Sequence, residues 1–214
     1  MMARTALLVI DMQRDFLDPG GYAANAGLDI SALRRPIPTI QALLSAARRA
    51  GMPIIHTREG HRPDLSDCPS AKLARSRAAG AEIGSSGPLG RLLIRGEYGH
   101  DIIDELRPLE GEPVVDKPGY SAFANTDLHA LLNTRDIRQL VLTGVTTEVC
   151  VHSTLRDAVD RGYECLLVAD GCASPYAELQ AAALQMVGVE GGIFGQVVHS
   201  SEVLQQIDSR EAGA

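Results

Sequence analysis

Thr5-Ala6-Leu7-Leu8-Val9-Ile10-Asp11-Met12-Gln13-Arg14-Asp15-Phe16 is the stretch whose reading decides the fold. Its first half is a continuous apolar run without alternation, which suits a strand covered on both faces and therefore a parallel sheet. The run stops abruptly at Asp11, so a carboxylate stands at the strand's carboxyl end. Five apolar residues, Ala6 to Ile10, are too few for a signal-peptide core with its cleavage site, and far too few to span a bilayer. Cytoplasm is the expected compartment.

Runs of the same kind recur at 53–57, 113–116, 139–143, 164–169 and 196–199, each bounded by Gly, Pro or polar residues. Amphipathic stretches lie between them. Leu33, Ile37, Ile40, Leu43, Leu44 and Ala47 recur at three- and four-residue spacing and give one apolar helix face. Leu128, Leu131 and Leu132 repeat the pattern behind Thr126, the expected N-cap, and Val151, Leu155, Ala158 and Val159 do so in the segment that Cys150 opens. Ser174-Pro175 reads as an N-cap followed by proline at the first helical position, and a short helix after Ser200-Ser201 ends the chain. Strand and helix thus alternate, which predicts a doubly wound α/β sheet in one domain over 1–214. Segment 58–100, rich in Arg, Gly, Ser and Pro, is the irregular part; following a strand end, it is expected to form a pocket wall or lid.

The chain has 214 residues, enough for a substantial core, with an ordinary globular balance of 45% hydrophobic and 22% charged residues. Lys and Arg total 20 against 27 Asp and Glu, a net charge of −7, and no basic run interrupts it. Nucleic acid and membrane are therefore not expected partners. The four cysteines, at 68, 150, 165 and 172, form neither a zinc pattern nor a disulfide framework.

In an open parallel sheet ligands bind at the carboxyl ends of strands. Asp11, Lys117 and Cys150 all stand at or just beyond such ends. Their chemistry is complementary. A thiol needs a nearby cation or a helix N-terminus to ionise, which Lys117 and the helix behind Cys150 can supply. Asp11 can take the thiol proton and later deliver it to a departing amine. The Gly144–Cys150 turn brings backbone amides to the nucleophile, as an oxyanion hole requires. A dinucleotide-binding module would need a Gly-rich loop after the first strand, where this chain is acidic.

Three motifs carry a resemblance: Asp11-Met12-Gln13-Arg14-Asp15-Phe16, Asp116-Lys117-Pro118-Gly119-Tyr120-Ser121-Ala122-Phe123 and Leu142-Thr143-Gly144-Val145-Thr146-Thr147-Glu148-Val149-Cys150-Val151. In order and spacing they resemble the isochorismatase-like cysteine hydrolases, over essentially the whole chain. The resemblance implies a three-layer fold with a six-stranded parallel sheet and a catalytic triad of Asp11, Lys117 and Cys150. It further implies a non-proline cis peptide between Val145 and Thr146, an oxyanion hole from the amides of Thr146 and Cys150, and assembly into a dimer or tetramer.

Cys150 disfavours the vinyl-ether cleavage of isochorismatase proper, which lacks the cysteine. Thr57-Arg58-Glu59-Gly60-His61 departs from the metal-binding motif of nicotinamidases, so no metal or other cofactor is expected. Segment 56–67, Gly20-Gly21-Tyr22, Ile94-Arg95-Gly96-Glu97 and Glu190–Gly195 look most like the biuret and triuret hydrolase branch. A small ureido or carbamoyl substrate is therefore expected, cleaved at a terminal amide with release of ammonia. Gln13 and Phe16 are the nearest substrate-binding candidates, with Arg58, Tyr120, Phe123 and Glu190 on the pocket wall. The alternative is hydrolysis of ureidoacrylate or an N-carbamoyl amino acid, which a guanidinium such as Arg58 facing the site would favour.

Overall fold

The computed structural model describes residues 4–211. Six parallel strands form its sheet: β1 (Arg4–Ile10), β2 (Ile54–Glu59), β3 (Val114–Lys117), β4 (Ile137–Val145), β5 (Glu164–Ala173) and β6 (Gln196–Val198). Their spatial order is β3-β2-β1-β4-β5-β6. The chain thus winds outward from β1 in one direction, returns, and winds outward in the other. The reversal falls between β1 and β4, which is where an open α/β sheet leaves a crevice at its carboxyl edge.

The helices of seven or more residues among the described residues are α1 (Ile37–Arg49), α2 (Ser70–Ala78), α3 (Leu128–Thr134), α4 (His152–Asp160), α5 (Ala177–Val187) and α6 (Ser200–Glu211). The pleat of β1 divides its side chains between two cores. Leu7 and Val9 pack with Ile40, Leu43 and Leu44 of α1 and Val203 and Ile207 of α6. Ala6, Leu8 and Ile10 pack with Leu128 and Leu132 of α3 and Leu155 and Ala158 of α4. Both faces of the sheet are covered, giving the three-layer doubly wound architecture expected from uninterrupted apolar strands. No helix among the described residues is long and apolar enough to cross a membrane.

The departures are local. α3 begins behind Asp127 rather than Thr126, although the Thr126 hydroxyl still accepts from the Leu128 amide at 3.3 Å. α5 begins at Ala177, because the Ser174 hydroxyl accepts from the Tyr176 amide at 3.1 Å and closes a separate turn first. Segment 58–100 is less irregular than its composition suggests: it holds α2 and a tight antiparallel pair, Ser86–Gly87 with Gly90–Arg91.

Candidate active site

Asp11 directly follows β1 and has a positive φ of 53°. Its Oδ1 accepts from the Thr57 hydroxyl at 2.6 Å, and its Oδ2 lies 2.7 Å from Lys117 Nζ. Lys117 ends β3 and is fully buried. Its ammonium donates to the Gly119 carbonyl at 3.0 Å and reaches Cys150 Sγ at 3.4 Å. Cys150 sits in a π-helical turn, Thr147–Val151, that leads directly into α4. The peptide between Val145 and Thr146, just upstream, is cis. The structure therefore brings Asp11, Lys117 and Cys150 into one buried cluster at the carboxyl edge, beside the crevice between β1 and β4.

Two further residues complete the cluster, and sequence reasoning missed both. Glu59 ends β2; its Oε2 accepts from the Cys150 thiol at 3.1 Å and faces Lys117 at 3.4 Å. Its Oε1 lies 2.6 Å from the ammonium of Lys72 on α2, which also donates to the Pro118 carbonyl at 2.6 Å. Two carboxylates and the Lys117 ammonium thus lie around one thiol, with Lys72 behind Glu59. Asp11, Glu59 and Cys150 offer donor atoms within 4.8 Å of one another, a spacing that could suit a cation. The carboxylates there already face Lys117 and Lys72, so a metal would have to displace an ammonium from each.

Burial and charge act against each other at every member. Burial would raise Glu59, but Lys117 and Lys72 outweigh it and hold its carboxyl at about 2. At Asp11 burial prevails over Lys117, with Glu59 adding to it, and the pKa is raised. Burial also pushes the Cys150 thiol well up, further than Lys117 pulls it down. The resting sulfur is therefore a neutral thiol aimed at Glu59, rather than the preformed thiolate expected from a nearby cation.

The remaining candidates separate into two groups. Phe16, Tyr120 and Thr146 line a cavity of about 350 Å³ that has Glu59, Lys72 and Cys150 in its walls and closes against Tyr22 and Tyr176. Gln13, Arg58, Phe123 and Glu190 are not among its lining residues. The Gln13 amide clamps the end of β2 instead: Oε1 accepts from the Glu59 amide at 2.7 Å, and Nε2 donates to the Glu59 and His100 carbonyls at 2.9 Å each. Arg58 points to the opposite side of the sheet from Glu59, as the pleat demands, and its guanidinium grips Asp116 and Asp101 at 2.7 and 2.9 Å. Phe123 is a core aromatic, stacked on Tyr163 with ring centroids 5.8 Å apart. Glu190 lies exposed beyond α5 in a turn with positive φ.

The same register explains why Glu59 could be missed and how it could have been found. β2 pairs with β3 so that Arg58 faces Asp116 and Glu59 faces Lys117. Once Lys117 is taken as inward, its lateral neighbour on β2 must be inward too, and that neighbour is Glu59.

Residues 5–201 match the Isochorismatase domain family. The ureidoacrylate amidohydrolase RutB of Serratia proteamaculans (strain 568) is 40% identical over 183 residues, covering 83% of this chain and 74% of that protein. Among solved structures, a cysteine hydrolase from Pseudomonas syringae pv. phaseolicola 1448A superposes with a TM-score of 0.81 at 30% identity, over 96% of this chain and 93% of the other. N-carbamoylsarcosine amidase from Thermoplasma acidophilum gives 0.70 at 25% identity, over 92% and 96%.

Proposed function

Because this chain belongs to the isochorismatase family and is a hydrolase of amide C–N bonds, we propose that it attacks the ureido carbonyl of a small carbamoyl acid such as ureidoacrylate, using Cys150 as nucleophile. The observation that carries the reading is the buried Asp11–Lys117–Cys150 contact set, of which Cys150 lines a small cavity while Asp11 and Lys117 lie behind its wall. The likeness to a ureidoacrylate amidohydrolase supports the substrate class and moves the preference away from biuret or triuret.

The neutral thiol must lose its proton as it attacks. Glu59 holds the S–H in place but, with its carboxyl near 2, is a weak base. Asp11, whose pKa is raised, is the better acceptor, and its carboxylate lies within 4.8 Å of the sulfur. Sγ bonds to the carbonyl carbon as the proton passes to Asp11, and the amides of Thr146 and Cys150 receive the resulting oxyanion. Lys117 stays charged throughout and stabilises the sulfur as negative charge develops on it. The C–N bond then breaks, and the departing nitrogen takes the proton from Asp11. Water attacks the carbamoyl thioester left on Cys150 and gives a proton back through Asp11; the thiol is regenerated and carbamate is released, which decomposes to ammonia and carbon dioxide.

An ammonia-release screen over ureidoacrylate, N-carbamoyl amino acids, biuret, triuret and nicotinamide tests the reading. Ureidoacrylate or a carbamoyl amino acid should give the highest kcat/KM, and Cys150→Ser should reduce release to background with an unchanged melting temperature. Retained turnover in that variant would remove Cys150 from the chemistry, and a best rate on biuret would return the preference to the uncharged ureides.

A further inference from the structure

We infer that Arg75 reads the charge of the substrate: its guanidinium takes the carboxylate of a ureido acid whose carbonyl lies at Cys150. The inference rests on the proposed ureido chemistry and adds to it the residue that selects an acid over an uncharged ureide.

Lys72, Arg75, Ser76 and Ala79 all line the cavity. Their spacing of three, four and seven residues places them on one face of α2 and its C-cap, Ala79, so the helix presents a single stripe to the pocket. The two cations on that stripe differ in employment. Lys72 is buried and committed to Glu59 and to the Pro118 carbonyl. Arg75 is exposed on the cavity wall and has neither an ion pair nor a side-chain hydrogen bond among the described residues. Arg77, two residues on and outside the cavity lining, is held by both carboxylate oxygens of Glu82 at 2.9 and 2.7 Å. A free guanidinium facing a cavity lined by Phe16, Leu28, Ile83 and Leu93 lacks a counter-ion, and a planar carboxylate satisfies it by paired N–H···O bonds.

The length fits. Lys72 touches Glu59, and Glu59 touches the thiol, so position 72 marks the level of the reacting carbon along α2. Arg75 is one turn further, a rise of about 4.5 Å. In a three-carbon ureido acid the ureido and carboxylate carbons are about 5 Å apart. Glu148, from the nucleophile's own turn, is the other lining charge without an ion pair among the described residues; it repels an anion and leaves the α2 side as the place for the carboxylate.

The test compares wild type, Arg75→Gln and Arg75→Lys with ureidoacrylate and with uncharged biuret. Arg75→Gln should raise KM for ureidoacrylate roughly 10- to 100-fold, the range of a charge-assisted contact, with kcat nearly constant. The ureidoacrylate-to-biuret ratio of kcat/KM should fall accordingly, and Arg75→Lys should recover part of it. An equal loss on both substrates, or no loss on ureidoacrylate, overturns the inference. A second readout needs no turnover: propionate should slow iodoacetamide alkylation of Cys150, followed on its peptide by mass spectrometry, in wild type but not in Arg75→Gln. Arg75-dependent protection without hydrolysis of any ureido compound would overturn the proposed function and leave the anion site standing. Hydrolysis of ureidoacrylate with neither protection nor an Arg75 effect would do the reverse.

Discussion

Replacing Glu59 by Gln should destabilise the protein, and replacing Lys72 by Met in the same molecule should restore it. The side chains of Glu59 and Lys72 are 5% and 6% exposed and lie 2.6 Å apart, so their charges are held almost entirely by each other and by Asp11 and Lys117. In the native cluster two negative groups balance two positive ones. Glu59→Gln leaves an excess cation in a closed space, Lys72→Met leaves an excess anion, and the double variant restores the balance with the Asp11–Lys117 pair alone. Coulomb attraction at this separation is about 6 kcal/mol at an effective dielectric of 20, most of it offset by desolvation of both ions. Stranding one partner costs about 3–5 kcal/mol, whereas removing both together is nearly neutral. For a chain of this length each single variant should therefore melt roughly 6–20 °C lower. The double variant should lie within about 1 kcal/mol of wild type, allowing for the donor that the Pro118 carbonyl loses. Urea denaturation of the four proteins closes the cycle. If the losses simply add, the two residues are not stabilised as a pair and the charge-balance argument fails.

Asp15 supplies a pH dependence. Burial raises its carboxyl to about 6 against hydrogen bonds from the Leu93 and Tyr22 amides. The protonated acid is thus favoured in the folded state, and the stability it confers below about 3.8 is lost as pH rises through about 6. Asp15→Asn should gain about 2.5 kcal/mol relative to wild type between pH 4 and pH 7.5 in urea titrations; a constant difference would contradict the assigned shift. Gly144 combines a φ of 119° with a position where an added Cβ would lie 2.0 Å from the Ile10 carbonyl oxygen. Gly144→Ala should cost at least about 3 kcal/mol by calorimetry or fail to accumulate as folded protein, and near-native stability would show that β1 and β4 can separate there without penalty.

The architecture was readable because its determinants are local. Leu7 through Ile10 is apolar on both faces, so the strand could only be internal, and the period of Ile37, Ile40 and Leu44 could only be a helix laid on such a sheet. What escaped was decided by polar competition at element ends. Ser174 and Thr126 have the chemistry of N-caps, yet each closes a turn at the helix entrance, with the Tyr176 and Leu128 amides, and the cap falls two residues and one residue later. Helix α2 was hidden because most of its length, Ser70 to Ala78, is solvated. Its buried contributions are Lys72 and Ser76, polar residues that leave no apolar period to detect.

The candidate site divides along a similar line. Asp11, Lys117 and Cys150 could be placed from sequence because the ends of β1, β3 and β4 meet at one edge in any doubly wound sheet of this order. Arg58 and Glu59 could not be separated by position along β2, only by pleat. A one-residue difference moves a side chain from the cavity to the opposite face, and only pairing with β3 reveals which is which. The resolution is chemically consequential. Had Arg58 faced inward, a cation would have stood beside Lys117 and Lys72 and lowered the thiol's pKa; with Glu59 there, the sulfur rests protonated and attack has to be coupled to proton transfer. The positive group left to meet an anionic substrate is then displaced to α2, at Arg75. The nucleophile stays neutral until a carbonyl is bound, and the charge proposed to select the substrate, on α2, is separate from Lys117, the charge that serves the reaction.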